Sequence, residues 1–76
     1  MVDTQLLDER IAKSGKRKSY LAEKCGMSLQ TFRMKRLNIS PFNTDEIEAL
    51  AKELDIRTMT DKERIFFKKK VEKTST

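Results

Sequence analysis

Apolar residues recur along this chain at intervals of three and four, the spacing that places side chains on one face of an α-helix. From Asp3 to Ser14, Leu7, Ile11 and Ser14 keep this register with Leu6 and Arg10 flanking, and Gly15 follows as a helix stop. Ser19 to Lys24 carries Tyr20, Leu21 and Ala22, then Cys25 and Gly26, which predicts a short second helix closed by a glycine free to take positive φ. Strand-like alternation and internal repeats are absent.

Polar punctuation divides the remainder. Ser28 is placed to cap a third helix from Leu29 to about Leu37, with Met27 and Phe32 spaced as a hydrophobic staple. Asn38 stands at its end, a residue that tolerates left-handed backbone, and Pro41 forbids continuation. Asn43 and Glu46 form a capping box for a fourth helix, Phe42 staples onto Ile47, and Ile47, Leu50, Ala51 and Leu54 make its inward stripe. Thr60 and Glu63 offer a second capping box for a final short helix with Ile65, Phe66 and Phe67. The expectation is an all-α chain, a compact four- to five-helix bundle in one domain over residues 1–67, with a basic, frayed tail over 68–76.

Length and composition narrow the function. Seventy-six residues support one core. A hydrophobic fraction of 37% beside a charged fraction of 38% suits a small folded domain with a heavily charged surface. One cysteine cannot form an internal disulfide, and without histidine a zinc site of the usual kind is out of reach. No metal, cofactor or small-molecule ligand is expected. No apolar run approaches the roughly 20 residues of a membrane span, and the N-terminus lacks the layout of a signal peptide, so the expected setting is the cytoplasm. There is no histidine base and no glycine-rich phosphate loop, and an enzyme is not expected.

Charge is unevenly spread. Residues 16–36 hold seven Lys or Arg against the single acid Glu23, whereas residues 43–57 hold five acids against Lys52 and Arg57. Such a layout predicts one face that attracts a polyanion and another that repels it. The basic stretch also has the pattern of a helix-turn-helix, in which a first helix braces the phosphate backbone while the second lies in the major groove of DNA. Leu21, Cys25, Met27 and Phe32 fall where that unit needs inward apolar residues, Ala22 where its helices approach, and Gly26 where its turn needs backbone freedom.

The stretch from Lys18 to Asn38, KSYLAEKCGMSLQTFRMKRLN, resembles the lambda-type Cro and phage repressor family, also called Xre-like. The following loop and helix, SPFNTDEIEALAKELDI, and the ending ERIFFKKKVEK are similar to small phage-encoded regulators of Gram-positive hosts. This resemblance implies a lambda-repressor-like DNA-binding fold, a double-stranded DNA operator as partner, a homodimer at least on DNA, and a bacterial or phage-infected cell as setting. Two positions depart from the family pattern. Lys18 stands where glutamine is frequent, which favours a phosphate contact, and Lys35 stands where an apolar residue is frequent. Either Phe32 and Leu37 hold the third helix, or Lys35 lays its aliphatic stem on the core and sends its charge outward.

Within this frame the base-contacting candidates are Leu29, Gln30, Arg33 and Met34. Gln30 can pair with adenine and Arg33 with guanine in bidentate fashion, while the other two supply apolar contact. The plainer account of these four is a solvated helix face. Phosphate-contacting candidates are Lys16, Arg17, Lys18, Ser28, Thr31, Lys35 and Arg36, for which the plainer account is surface charge. Cys25, at an inward position, reads as a small buried hydrophobe rather than a redox switch. Ile65, Phe66 and Phe67 are candidates for a dimer contact, although two adjacent aromatics cannot both face one helical core, so one of the pair is expected to close the monomer. The rival class is a protein-interaction module, such as an antitoxin or antirepressor, with the helix-turn-helix as scaffold.

Overall fold

The computed structural model describes residues 1–68. It contains α1 (Thr4–Ser14), α2 (Lys18–Lys24), α3 (Leu29–Arg36), α4 (Thr44–Glu53) and α5 (Met59–Phe66), with no strand among the described residues. The chain is an all-α, small helical bundle, as its periodicity predicts.

Four of the five helices start where a short polar side chain occupies a free amide, and α2 is the exception, its N-cap Arg17 making no side-chain cap bond. Asp3, Ser28 and Asn43 cap α1, α3 and α4, and Glu46 completes the predicted capping box by accepting from the Asn43 N–H at 3.0 Å. At α5 the expectation is corrected. Thr58, not Thr60, is the cap, its hydroxyl oxygen accepting from the Asp61 N–H, so the helix begins two residues early. This register buries both Ile65 and Phe66.

Three successive helices end in the same way. In each, a residue at positive φ lets its own N–H and that of the next residue turn back onto the last carbonyls, the Schellman arrangement. For α2 the residue is Gly26 (φ 76°), with Met27 N–H bonded to Ala22 O. For α3 it is Asn38 (φ 66°), with Ile39 N–H bonded to Met34 O. Asp55 (φ 60°) does the same for α4, with Ile56 N–H bonded to Ala51 O.

The core gathers all five helices and the segment before α1: Val2, Leu7, Ile11, Leu21, Ala22, Phe32, Ile47, Leu50, Ala51, Leu54, Ile56, Ile65 and Phe66 are buried. Phe42 packs edge-on against Phe32 on one side (centroids 6.2 Å) and Phe66 on the other (6.0 Å), linking α3 to α5. Two expectations therefore change. Ile65 and Phe66 close the core of the monomer, and of the expected dimer contact only Phe67 stands outside, at 53% exposure. Lys68, assigned to the frayed tail, is held: its N–H donates to Met1 O at 2.9 Å and its ammonium lies 3.3 Å from Asp3. The rest of that tail, 69–76, lies outside the described residues.

Candidate nucleic-acid interface

α2 and α3 are joined by the four residues Cys25 to Ser28. Met27 folds back onto Ala22, and Leu21, Ala22 and Phe32 are buried beneath the pair. Phe32 is fully enclosed and is the sole buried residue of α3. The opposite face is therefore outward: Leu29, Gln30 and Arg33 are exposed and Met34 is half-buried. Neither Gln30 nor Arg33 has a side-chain partner among the described residues, so both bring free donors to the surface.

The hydroxyls at the start of α3 are already ordered. Ser28 Oγ accepts from the Thr31 N–H at 3.1 Å and donates to Thr31 Oγ1 at 3.0 Å. Thr31 thus keeps its own proton free to donate outward.

The basic candidates separate into two groups. Arg17 and Lys18, at the start of α2, are exposed and unpaired among the described residues. Lys16, Lys35 and Arg36 are engaged within the molecule. Lys16 Nζ donates to the Glu53 backbone carbonyl at 2.7 Å and to its carboxylate at 3.0 Å. Lys35 Nζ lies 2.6 and 2.8 Å from the two Glu46 oxygens and is only 16% exposed. Arg36 Nη1 donates to Asp8 at 2.8 Å, its side chain is 11% exposed, and its Nε is buried without a partner among the described residues.

The acidic stretch is consequently not a separate repelling face. Glu46 and Glu53 reach back to cations of the basic stretch, and Glu48 and Asp55 pair with Lys62 and Arg57. Of the Lys35 alternatives, Phe32 is the buried residue that holds α3, Leu37 is partly exposed, and Lys35 turns its charge onto Glu46 of α4 rather than outward.

Sequence reasoning missed Tyr20 as part of this surface. Lys16 and Lys24 place their ammonium groups 5.8 and 5.4 Å from its ring centroid, a pair of cation–π contacts. The interval of four from Tyr20 to Lys24 within α2 is the signal that places those two on one face, whereas Lys16 precedes the helix and carries no such signal.

Cys25 packs against the core, its Sγ donating to Glu46 O at 3.8 Å. Burial, reinforced by the charges of Glu46 and Glu53, pushes its thiol up to about 11. At neutral pH it is a thiol rather than a nucleophilic thiolate.

The three perturbed carboxylates all move the other way. Burial pushes Glu46 up, but hydrogen bonds from Lys35 and the Asn43 N–H, with the Lys35 charge, outweigh it and hold the group below its ordinary 4.5. The Lys16 hydrogen bond holds Glu53 below 4.5, and the Leu6 N–H, helped by Lys68, holds Asp3 below 3.8. A carboxylate depressed on folding adds stability that is complete above its unfolded value and is lost as pH falls through its folded one. The melting temperature is expected to decline below about pH 4.5 as these three protonate. A melt at roughly pH 3 that matches neutrality would show that their partners do not stabilise the fold.

No helix among the described residues is long and apolar enough to cross a membrane. The chain matches no protein-family model, no curated protein and no solved structure.

Proposed function

We propose that the protein is a sequence-specific binder of double-stranded DNA, a Cro- or repressor-like transcriptional regulator that sets the N-terminal half of α3 into the major groove. The observation that carries this reading is the outward face of α3: Gln30 and Arg33, with no side-chain partners among the described residues, beside Leu29, on a helix locked from behind by Phe32. A glutamine and an arginine one turn apart can address an adenine and a guanine, and Leu29 a thymine methyl.

Phosphate contact falls first to Arg17 and Lys18, with the Thr31 hydroxyl, because these groups are free, and then to Lys24, whose ammonium meets only the Tyr20 ring. Lys16, Lys35 and Arg36 reach a phosphate only by giving up a carboxylate. With so few free cations on one copy, and one short helix touching few base pairs, operator binding needs two copies on an inverted repeat. The setting is the cytoplasm of a bacterial or phage-infected cell, and occupancy of the operator is the means of control.

The test begins with a duplex selected from a random pool. Gln30→Ala and Arg33→Ala are each expected to cost about 1 to 3 kcal/mol on that duplex and much less on random DNA. Lys18→Ala is expected to weaken both equally and to flatten the salt dependence by about one unit of slope. Equal losses on both duplexes for Gln30→Ala and Arg33→Ala would remove α3 as the reading element. A folded protein that shifts no duplex even at low salt, yet captures a protein tightly, would move the reading to an interaction module. One protein per operator at saturation, measured by sedimentation, would dismiss the paired arrangement.

A further inference from the structure

A reading helix must be placed as well as exposed, and apolar packing does not place this one. α3 has eight residues and buries only Phe32, and a rod pinned at a single point can tilt about it. Gln30 and Arg36 lie about 3 and 6 Å from Phe32 along the axis, so a tilt of roughly ten degrees about Phe32 carries the Gln30 backbone about 0.5 Å and the Arg36 end about 1 Å, which reaches the roughly 0.5 Å tolerance of a hydrogen-bonded contact. Something directional has to hold the far end.

That end is held on one side by the Lys35–Glu46 pair with α4 and on the other from residues 2–8. Thr4 Oγ1 donates to the Arg36 carbonyl at 2.7 Å, and Asp8 accepts from the Arg36 guanidinium at 2.8 Å. Asn38 makes the third tie with both ends of its amide: Nδ2 donates to Val2 O and Oδ1 accepts from Val2 N–H, each at 2.8 Å. This pairing imitates one rung of a β-ladder, and it needs the left-handed backbone of Asn38 to aim the side chain back at Val2. Val2 is in turn buried, and Asp3 N–H bonds Ile65 O at 2.7 Å, so the ties lead to a fixed part of the core.

We propose that Thr4, Asp8 and Asn38 are positioning residues: through them the N-terminal segment sets the tilt of α3 and thereby how sharply the protein separates one DNA sequence from another. This rests on the reading of α3 as the groove-binding helix. The three touch no DNA themselves, and their effect falls on discrimination rather than on affinity for duplexes in general.

Asn38→Gly keeps the positive φ and deletes the amide, and Asp55→Gly, at the equivalent end of α4, controls for glycine itself. Thr4→Val deletes the hydroxyl at constant shape, and Thr4→Ser restores it. Two measurements are made on each full-length variant: the ratio of affinities for the selected and random duplexes, and amide exchange in the free protein. Asn38→Gly and Thr4→Val are expected to lower the affinity ratio about tenfold, the low end of one bidentate base contact. They are also expected to speed exchange at Leu37 and Ile39 by about five- to thirtyfold, with α2 unchanged. Thr4→Ser and Asp55→Gly are expected to match the wild type in both. An unchanged ratio, an equal loss on both duplexes, or failure of Thr4→Ser to restore what Thr4→Val loses would overturn the proposal. If the wild type shifts no duplex, the DNA reading fails with it, and exchange in the free protein still decides whether the ties hold α3: normal exchange at Leu37 and Ile39 in Asn38→Gly overturns the clamp, and faster exchange supports it.

Discussion

Phe32→Ala is expected to unfold the protein at room temperature. Phe32 has no exposed surface and is the one core residue that α3 contributes. Emptying such a site removes the transfer free energy of the ring and leaves a cavity, together about 3 to 5 kcal/mol. The neighbours cannot close in cheaply, because Phe42 is already fixed between Phe32 and Phe66 by edge-to-face contacts. Losing one of those contacts adds about 0.5 to 1.5 kcal/mol. Small domains hold about 5 to 15 kcal/mol in all, and one this short lies toward the lower end. Circular dichroism is the direct measurement, and a cooperative melt within a few degrees of wild type would mean that the α2–α3 pair is packed by other residues.

Truncation after Thr60 is expected to have an effect at least as large. It removes Ile65 and Phe66 from the core, each worth about 1.5 to 3 kcal/mol of burial, and exposes the face of Phe42 that Phe66 covers. It also removes the Ile65 carbonyl that Asp3 uses and the Lys68 N–H that holds Met1. If α5 served mainly between subunits, helices α1 to α4 would stay folded without it. A truncated protein with native helical signal and protected α1 amides would show that the last helix is dispensable to the monomer, contrary to the burial of Ile65 and Phe66. Substituting Phe67 instead separates the two roles, since Phe67 is exposed beside Met1 and Ile39 on the rim of an apolar groove of about 440 Å³.

Helix existence and most helix ends were legible because they are set locally. Ser28, Asn43 and Glu46 act through bonds within one turn, so spacing alone locates them. The start of α5 was misread for the same reason. Thr58 with Asp61 and Thr60 with Glu63 present the same local signal, and spacing alone does not choose between them. Val2 escaped notice because a residue outside any helix has no period to betray it. The cations show the sharpest limit. Lys35 and Arg36 look as available in the sequence as Arg17 and Lys18, yet their carboxylate partners lie 11 and 28 residues away and are found only through the fold. The outward position of Leu29, Gln30 and Arg33 was easier to see, because the face of a helix opposite a buried phenylalanine follows from periodicity.

The meeting of the chain's two described ends bears on how the molecule is made. Met1 and Lys68, 67 residues apart, are joined by a backbone hydrogen bond, and Val2 takes its place in the core with Ile65 and Phe66 nearby. Met1 to Asp3 are thus synthesised well before the residues that they bond and pack with. Helices α1 to α4 can form as they emerge, since their contacts are mostly local, but the loop closed by Met1 and Lys68 spans the described chain and carries a correspondingly large ordering entropy. The shared core therefore closes only when α5 docks, and the ordering of Met1 to Asp3, and with it that of the α3 end at Asn38, waits for residues 65–68.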